Sequence, residues 1–114
     1  MLKVYFKSNC STCRSALEWM RDHIEEEAEY IEYLVDIPTE KELKEIVSML
    51  GIKAEDLVRK KEKLFKENFE GKNISDEEWI GILHRHPILI ERPIFVKNGK
   101  AIIGRPVERV LDII

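Results

Sequence analysis

A chain of 114 residues can bury one hydrophobic core but not two, so we expect a single domain over residues 1–114. Its 44% hydrophobic and 36% charged residues are ordinary for a soluble globular protein, and its apolar runs are far shorter than a membrane span. The net charge of −3, without a block of lysines or arginines, argues against direct binding of nucleic acid. The N-terminus shows no secretion signal, so we expect a cytoplasmic protein. We also expect a monomer that does not associate with membranes.

The first predicted elements are a strand over residues 2–6, where apolar and polar residues alternate, and a helix that continues to about His23. Both cysteines lie at the start of this helix, three positions apart, within disulfide range of each other. Cys10 falls at the helix N-terminus, where unpaired N–H groups and the dipole stabilise an anion, so we expect its thiol to have a lowered pKa. Cys13 lies inside the helix, placed to attack any group bonded to Cys10. This arrangement predicts redox chemistry.

The middle of the chain predicts one more strand and then a group of helices. Residues 30–35 are rich in β-branched and aromatic side chains and indicate a second strand, parallel to the first because a helix separates the two. Capping boxes beginning at Thr39 and at Ser75 start two helices, which end at Gly51 and by Pro87. Residues 53–69 are dense in charge and are expected to form short helices.

The last part of the chain predicts a hairpin followed by a helix. Asn98-Gly99 is a strong hairpin signal between strands over residues 93–96 and 100–103. A final helix is expected to open at Pro106 and to direct four apolar side chains inward: Val107, Val110, Leu111 and Ile114. The order is β-α-β, a helical insertion, then β-β-α. It is compatible with a thioredoxin-like α/β fold, which has a four-stranded mixed sheet flanked by helices.

Two other interpretations of the cysteine pair are open. Cys10 and Cys13 are half of the ligand set that a structural zinc ion needs, and His84 and His86 are the available partners. Two histidines separated by one residue near a helix end point in different directions, so no metal site is expected. A buried, inert pair is the second interpretation, and the electropositive setting beside Arg14 disfavours it.

Four arginines, Arg14, Arg59, Arg92 and Arg105, are candidate anion ligands. Each one alone is typical of a solvated surface residue. Arg92 and Arg105 differ because each immediately precedes a proline at the boundary of an element. Guanidinium groups placed around a thiolate would bind a tetrahedral oxyanion in a bidentate manner and hold its charge.

Over essentially its whole length the chain resembles the thioredoxin-fold arsenate reductase (ArsC) and Spx/YffB-like family. The most specific segment is residues 86–94, HPILIERPI, followed by Asn98-Gly99-Lys100-Ala101 and Ile103-Gly104-Arg105-Pro106. The supporting segments are Cys10-Ser11-Thr12-Cys13-Arg14, Tyr33 with residues 38–43, and Leu50-Gly51-Ile52 leading to Leu57-Val58-Arg59-Lys60.

The resemblance implies roles for individual residues. Cys10 matches the family's nucleophile, and Arg59, Arg92 and Arg105 match arginines that bind and orient the oxyanion. Pro93 matches a proline that is cis in the thioredoxin fold and lies opposite the active cysteine. Phe6 replaces a histidine, and Cys13 a serine, of the glutaredoxin-coupled arsenate reductases, which makes the chain similar to the YffB-like and Spx branches.

The resemblance implies an oxidoreductase of the arsenate reductase type. The Cys10 thiolate attacks arginine-bound arsenate, or a small thiol-disulfide substrate takes the oxyanion's place. Glutathione, another small thiol or Cys13 resolves the adduct, and glutaredoxin or thioredoxin restores the dithiol. No tightly bound cofactor is implied. The alternative is a Spx-like transcriptional regulator in which the cysteine pair is a redox switch and the surface binds RNA polymerase; the retained Arg105 disfavours it.

Overall fold

The computed structural model describes residues 1–114. Contacts within the chain divide it into two compact units, and each is described by itself. The first unit comprises Met1–Asp36 together with Arg92–Ile114, and the second comprises Ile37–Glu91. The single domain expected over residues 1–114 stays a prediction. None of the helices combines the length and the apolar character that crossing a membrane demands.

The first unit contains four strands and two helical segments: β1 (Leu2–Phe6), α1 (Ser11–His23), β2 (Ala28–Glu32), β3 (Ile94–Lys97), β4 (Lys100–Ile103) and a 3-10 helix (Val107–Asp112). The strands form one sheet in the order β2-β1-β3-β4. β1 is parallel to β2 and antiparallel to β3, and β3 is antiparallel to β4. The predicted four-stranded mixed sheet is therefore confirmed.

Local sequence explains where these elements turn and how they pack. Asn98 and Gly99 both have positive φ, 51° and 76°, the backbone that a two-residue hairpin between β3 and β4 requires. One hydrophobic cluster joins the sheet to α1 and to the 3-10 helix. Its buried members are Leu2, Val4, Met20, Phe95, Ile102 and Val110.

β2 begins and ends earlier than the predicted strand at residues 30–35. It covers Ala28–Glu32, and the chain then turns. The Glu32 carbonyl accepts hydrogen bonds from the N–H groups of Val35 and Asp36, and its carboxylate accepts one from Leu34. Because the N–H groups of residues 34–36 donate to Glu32, they are not available to pair with a neighbouring strand. The strand therefore ends at Glu32, although β-branched residues favour its continuation.

The final helix is a 3-10 helix and not the expected α-helix, which changes the face that it buries. With three residues per turn, positions 107, 110 and 113 share one face. Val110 is fully buried, and Val107 and Ile113 pack against the same core cluster. The predicted inward positions of Leu111 and Ile114 are wrong, since these side chains are 52% and 46% exposed.

The second unit is helical: α2 (Glu40–Leu50), a 3-10 helix (Ala54–Leu57), α3 (Lys63–Asn68), α4 (Asp76–Arg85) and a 3-10 turn (Pro87–Leu89). The capping box of α2 is complete, with Thr39 and Glu42 bonding each other's backbone, and the helix ends at Gly51 with φ 68°. At the start of α4 the Ser75 side chain accepts from the N–H of Glu78, whereas the Glu78 carboxylate accepts from the Ser75 hydroxyl. The two predicted helix starts are confirmed.

Candidate active site at the start of helix α1

Cys10 lies between the end of β1 and the first residue of α1. Residues 7–9 connect the two elements, and Asn9 has a positive φ of 52°. Cys10 is the N-cap residue, and its Sγ accepts a hydrogen bond from the backbone N–H of Cys13 at 3.4 Å. Its carbonyl accepts from the N–H of Arg14 at 2.9 Å. The Cys10 sulfur therefore takes the place that a serine or aspartate oxygen holds at other helix N-termini.

Glu32 fixes the loop before Cys10, a role that the sequence did not reveal. One carboxylate oxygen of Glu32 accepts the backbone N–H of Ser8 at 2.5 Å, although the two residues are 24 positions apart. Partial burial alone would raise the pKa of Glu32. The hydrogen bonds that Ser8 and Leu34 donate to its carboxylate have the larger effect, so the pKa of Glu32 is lowered. An ionised carboxylate at the end of β2 thus ties down the loop that carries the nucleophile.

The Cys10 thiol is poised to ionise near neutral pH. Partial burial acts to raise its pKa, but donation from the backbone N–H and the thiol of Cys13, together with the hydrogen bond and charge of the Arg92 guanidinium, lowers it to about 7. These are the effects that favour a thiolate: an amide donor at a helix start and a nearby cation. Cys10 is partly exposed, so a reagent can reach the sulfur.

Cys13 has the opposite character. It lies inside α1 and is 1% exposed. Burial raises the pKa of its thiol to about 11; the adjacent Cys10 also raises it, and the N–H of Lys7 acts in the other direction. Both cysteines are free thiols. Cys10 is the thiolate of the pair, while Cys13 stays protonated and donates to it.

Arg92 is a charged side chain buried beside the nucleophile, with only 4% of its surface exposed. Its Nη1 donates to the Tyr33 hydroxyl at 3.3 Å, and its guanidinium also hydrogen-bonds to Cys10. Burial alone would lower the pKa of Arg92. The hydrogen bonds and charges of Tyr33 and Cys10 have the larger effect, so the pKa of Arg92 is raised. The next residue, Pro93, is buried and follows a cis peptide bond, as the family resemblance implied.

Arg105 is linked to Arg92 through the backbone. Its Nε donates to the Arg92 carbonyl oxygen at 2.6 Å, and its buried Nη2 has no hydrogen-bond partner. The Arg105–Pro106 peptide bond is also cis. Arg105 lines a largely apolar groove of about 460 Å³ that begins at Thr12, between the two cysteines, and continues along Trp19 of α1. The unpaired guanidinium nitrogen can donate a hydrogen bond to an anionic oxygen.

The other two arginines have different surroundings. Arg14 is exposed on the surface of α1. Arg59 belongs to the second unit, where its N–H donates to the Leu89 carbonyl and its guanidinium pairs with Glu62 at 3.0 Å and Glu91 at 3.9 Å. The first unit therefore brings together Cys10, Cys13, Arg92, Pro93 and Arg105, and Tyr33 joins them.

No group of three or more His, Cys, Asp and Glu side chains is arranged to hold a metal ion. Within the second unit, a ring nitrogen of His84 hydrogen-bonds to the Pro38 carbonyl at 2.8 Å, and the ring of His86 packs against Phe69 with centroids 6.3 Å apart. These contacts give both histidines structural roles in the helical unit.

The sequence and the fold of this chain are similar to those of known proteins. A family model described as the ArsC family matches residues 5–113. The chain is 39% identical to the uncharacterised protein YfgD of Escherichia coli K12, covering 99% of this chain and 96% of that protein. It is 35% identical to an arsenate reductase of Neisseria meningitidis serogroup A, covering 96% and 94%. The solved structure of an arsenate reductase from Vibrio cholerae superimposes with a TM-score of 0.91 at 36% identity, covering 99% and 97%.

Proposed function

The chain belongs to the ArsC family, and on that premise we propose that it is a thiol-dependent reductase that converts arsenate to arsenite with Cys10 as its nucleophile. The observation that carries this proposal is the placement of Cys10: at the N-cap of α1, under the Cys13 N–H and beside the buried Arg92 guanidinium. A thiolate held in this way is available at neutral pH without a separate general base.

The first step forms a bond between Cys10 Sγ and arsenic. The thiolate attacks As(V), and an arsenate oxygen leaves as water after taking up protons, so the arsenic stays pentavalent in the adduct. Arg92 and Arg105 stabilise the negative charge on the remaining oxygens, because guanidinium forks donate two parallel hydrogen bonds to such an anion. Arg14 of the first unit is a further anion ligand in this proposal, and Arg59 of the second unit stays a predicted one.

The second step reduces arsenic. A second thiol supplies the other sulfur, a disulfide to Cys10 forms, and two electrons pass to arsenic, which is released as trivalent arsenite. Glutathione or another small thiol performs this step in one version, and Cys13 performs it in the other, giving a Cys10–Cys13 disulfide. Cys13 suits the second role because it already contacts Cys10. Once the Cys10 sulfur is bonded to arsenic, it no longer raises the pKa of Cys13, so Cys13 can lose its proton to water and attack as a thiolate. Glutaredoxin or thioredoxin then restores the dithiol.

The Cys13 thiol also favours a second candidate function, the reduction of small disulfides. In that reaction Cys10 attacks the disulfide of the substrate, one thiol leaves, and Cys13 displaces the other from the mixed disulfide. The anion ligands then bind a carboxylate of the substrate in place of an oxyanion. The same nucleophile serves both reactions, so the substrate distinguishes them.

The test is arsenate reduction by the purified protein, with glutathione plus glutaredoxin and thioredoxin plus its reductase supplied separately. We expect arsenite with at least one donor system and none from the Cys10→Ser variant. Turnover with thioredoxin that disappears in Cys13→Ser would assign resolution to Cys13. If neither system yields arsenite although Cys10 reacts as a low-pKa thiol, arsenate is not the substrate. Specific binding of RNA polymerase would then favour the Spx-like regulator.

A further inference from the structure

Arg92 requires a partner that holds its side chain without cancelling its charge. Its guanidinium is almost completely buried, and a buried cation must have hydrogen-bond partners for its donors. A carboxylate would satisfy those donors, but it would also neutralise the positive charge that favours the Cys10 thiolate. A neutral oxygen acceptor can fix the guanidinium and leave its charge to act on the sulfur.

Tyr33 supplies such an acceptor. Its side chain is 0% exposed, and its hydroxyl oxygen accepts from Arg92 Nη1 at 3.3 Å across 59 positions of sequence. Burial raises the pKa of the Tyr33 phenol well above its usual range, although the charge of Arg92 opposes that rise. The phenol is therefore neutral at every pH at which Cys10 titrates.

The position of Tyr33 is fixed by the same strands that carry the nucleophile. Its backbone N–H donates to the carbonyl of Phe6, the last residue of β1, at 3.1 Å. The neighbouring residue Glu32 binds the backbone of Ser8 in the loop before Cys10. Glu32, the last residue of β2, thus binds the loop before Cys10, and Tyr33, the next residue, binds Arg92.

We propose that Tyr33 is a positioning residue for catalysis: its hydroxyl holds the Arg92 guanidinium against the Cys10 sulfur and in the orientation that receives the oxyanion. The proposal rests on the proposed function in taking Cys10 as the nucleophile. Arg105 holds the Arg92 carbonyl, so the backbone and the side chain of Arg92 are each fixed by a different residue. Removing the phenol oxygen takes one acceptor from the side chain and leaves the contact with the backbone in place.

The test is the pH dependence of iodoacetamide alkylation at Cys10, which needs no arsenate. Tyr33→Phe deletes one oxygen and keeps the buried ring, and thermal unfolding verifies that the fold is retained. Tyr30→Phe is the matched control, because it deletes the same atom from an exposed tyrosine on β2. We expect the midpoint of the Tyr33→Phe profile to rise by roughly half a pH unit or more, the effect of losing one hydrogen bond that orients a charge. Tyr30→Phe should leave the midpoint unchanged.

A double-mutant cycle separates positioning from packing. If Tyr33 acts through Arg92, Tyr33→Phe should add little to the midpoint shift that Arg92→Lys causes by itself. Additive shifts, or a Tyr33→Phe profile that superimposes on that of Tyr30→Phe, would overturn the inference and leave the proposed function intact. A wild-type profile without a midpoint near 7 would instead overturn the assignment of Cys10 as the nucleophile, and this inference with it.

Discussion

Cys13 donates to Cys10 twice, from its backbone N–H at 3.4 Å and from its thiol. The two donors can be separated by substitution. In Cys13→Ser the hydroxyl replaces the thiol as a donor, so we expect alkylation of Cys10 to keep a midpoint near pH 7. In Cys13→Ala only the backbone donor remains, so the midpoint should rise. Iodoacetamide labelling over a pH series, read by mass spectrometry, measures both; faster labelling of Cys13 than of Cys10 in the wild-type protein would contradict the assignment.

Oxidation should connect the same two sulfurs. We expect mild oxidation with a disulfide reagent to give an intramolecular Cys10–Cys13 bond in the wild-type protein, because the Cys13 thiol already hydrogen-bonds to the Cys10 sulfur. Cys13→Ser should stop at a mixed disulfide on Cys10. Peptide mapping without reduction distinguishes these products, and a mixed disulfide that persists in the wild-type protein would exclude Cys13 as the resolving thiol.

The stability of the reduced protein should depend on pH through Cys10. Its folded-state pKa, about 7, lies below the roughly 8.5 of an unfolded cysteine, so the folded state favours the thiolate. This contribution is fully present above about pH 8.5 and is lost as pH falls through 7. We expect the unfolding free energy of the wild type, minus that of Cys10→Ser, to increase between these two pH values.

Chemical denaturation at closely spaced pH values measures that difference. Cys13 contributes with the opposite sign, because its folded-state pKa is raised to about 11, and its effect begins only above about pH 8.5. The interval below that pH therefore reports Cys10 alone. A difference that stays flat or decreases across it would show that the folded protein does not favour the thiolate.

Local patterns were sufficient to predict that Cys10 lies at a helix start, and to predict much of the fold. Alternating residues in β1, the position of Cys10 at a helix start and the Asn98-Gly99 turn each depend on neighbours in sequence, and each is found where it was expected. By contrast, Tyr33 and Glu32 act on residues 59 and 24 positions away. No local periodicity specifies such contacts, so the partners of Arg92 and of the cysteine loop emerged only from the structure.

The end of the chain shows a different limit. The apolar residues at 107, 110, 111 and 114 fit an α-helical face, and the segment instead follows the three-residue period of a 3-10 helix. Both periods bury Val110, so the pattern could not distinguish them there. The α-helical and the 3-10 period predict different burial only at Leu111, Ile113 and Ile114. Three positions at the end of a short segment are too few to show which period the chain follows.

Replacing Arg105 with lysine should weaken anion binding although the charge is kept. Lysine cannot both donate to the Arg92 carbonyl and present a second nitrogen to an anion, as Arg105 Nε and Nη2 are placed to do. We expect arsenate to protect Cys10 from iodoacetamide roughly tenfold less well, equivalent to losing one charged hydrogen bond. Arg109→Lys, at an exposed position on the 3-10 helix, is the control and should behave as wild type. Equal protection in both variants would remove Arg105 from the binding site.

Gly104 allows the chain to pass directly over the ring of Phe95 in the core. A Cβ at position 104 would lie 2.1 Å from Phe95 Cε2, and the Gly104 N–H is fixed by a 2.8 Å hydrogen bond to the Pro93 carbonyl. Because Phe95 is fully buried, the ring cannot retreat, and Gly104→Ala should cost about 3 kcal/mol, the upper part of the usual range for overpacking. Gly81→Ala is the matched control: its Cβ would meet only the ends of two flexible side chains, Arg85 at 3.2 Å and Glu40 at 3.7 Å, inside a helix that alanine favours. Urea unfolding measures both variants, and equal stabilities would show that the backbone at position 104 can move away from the ring.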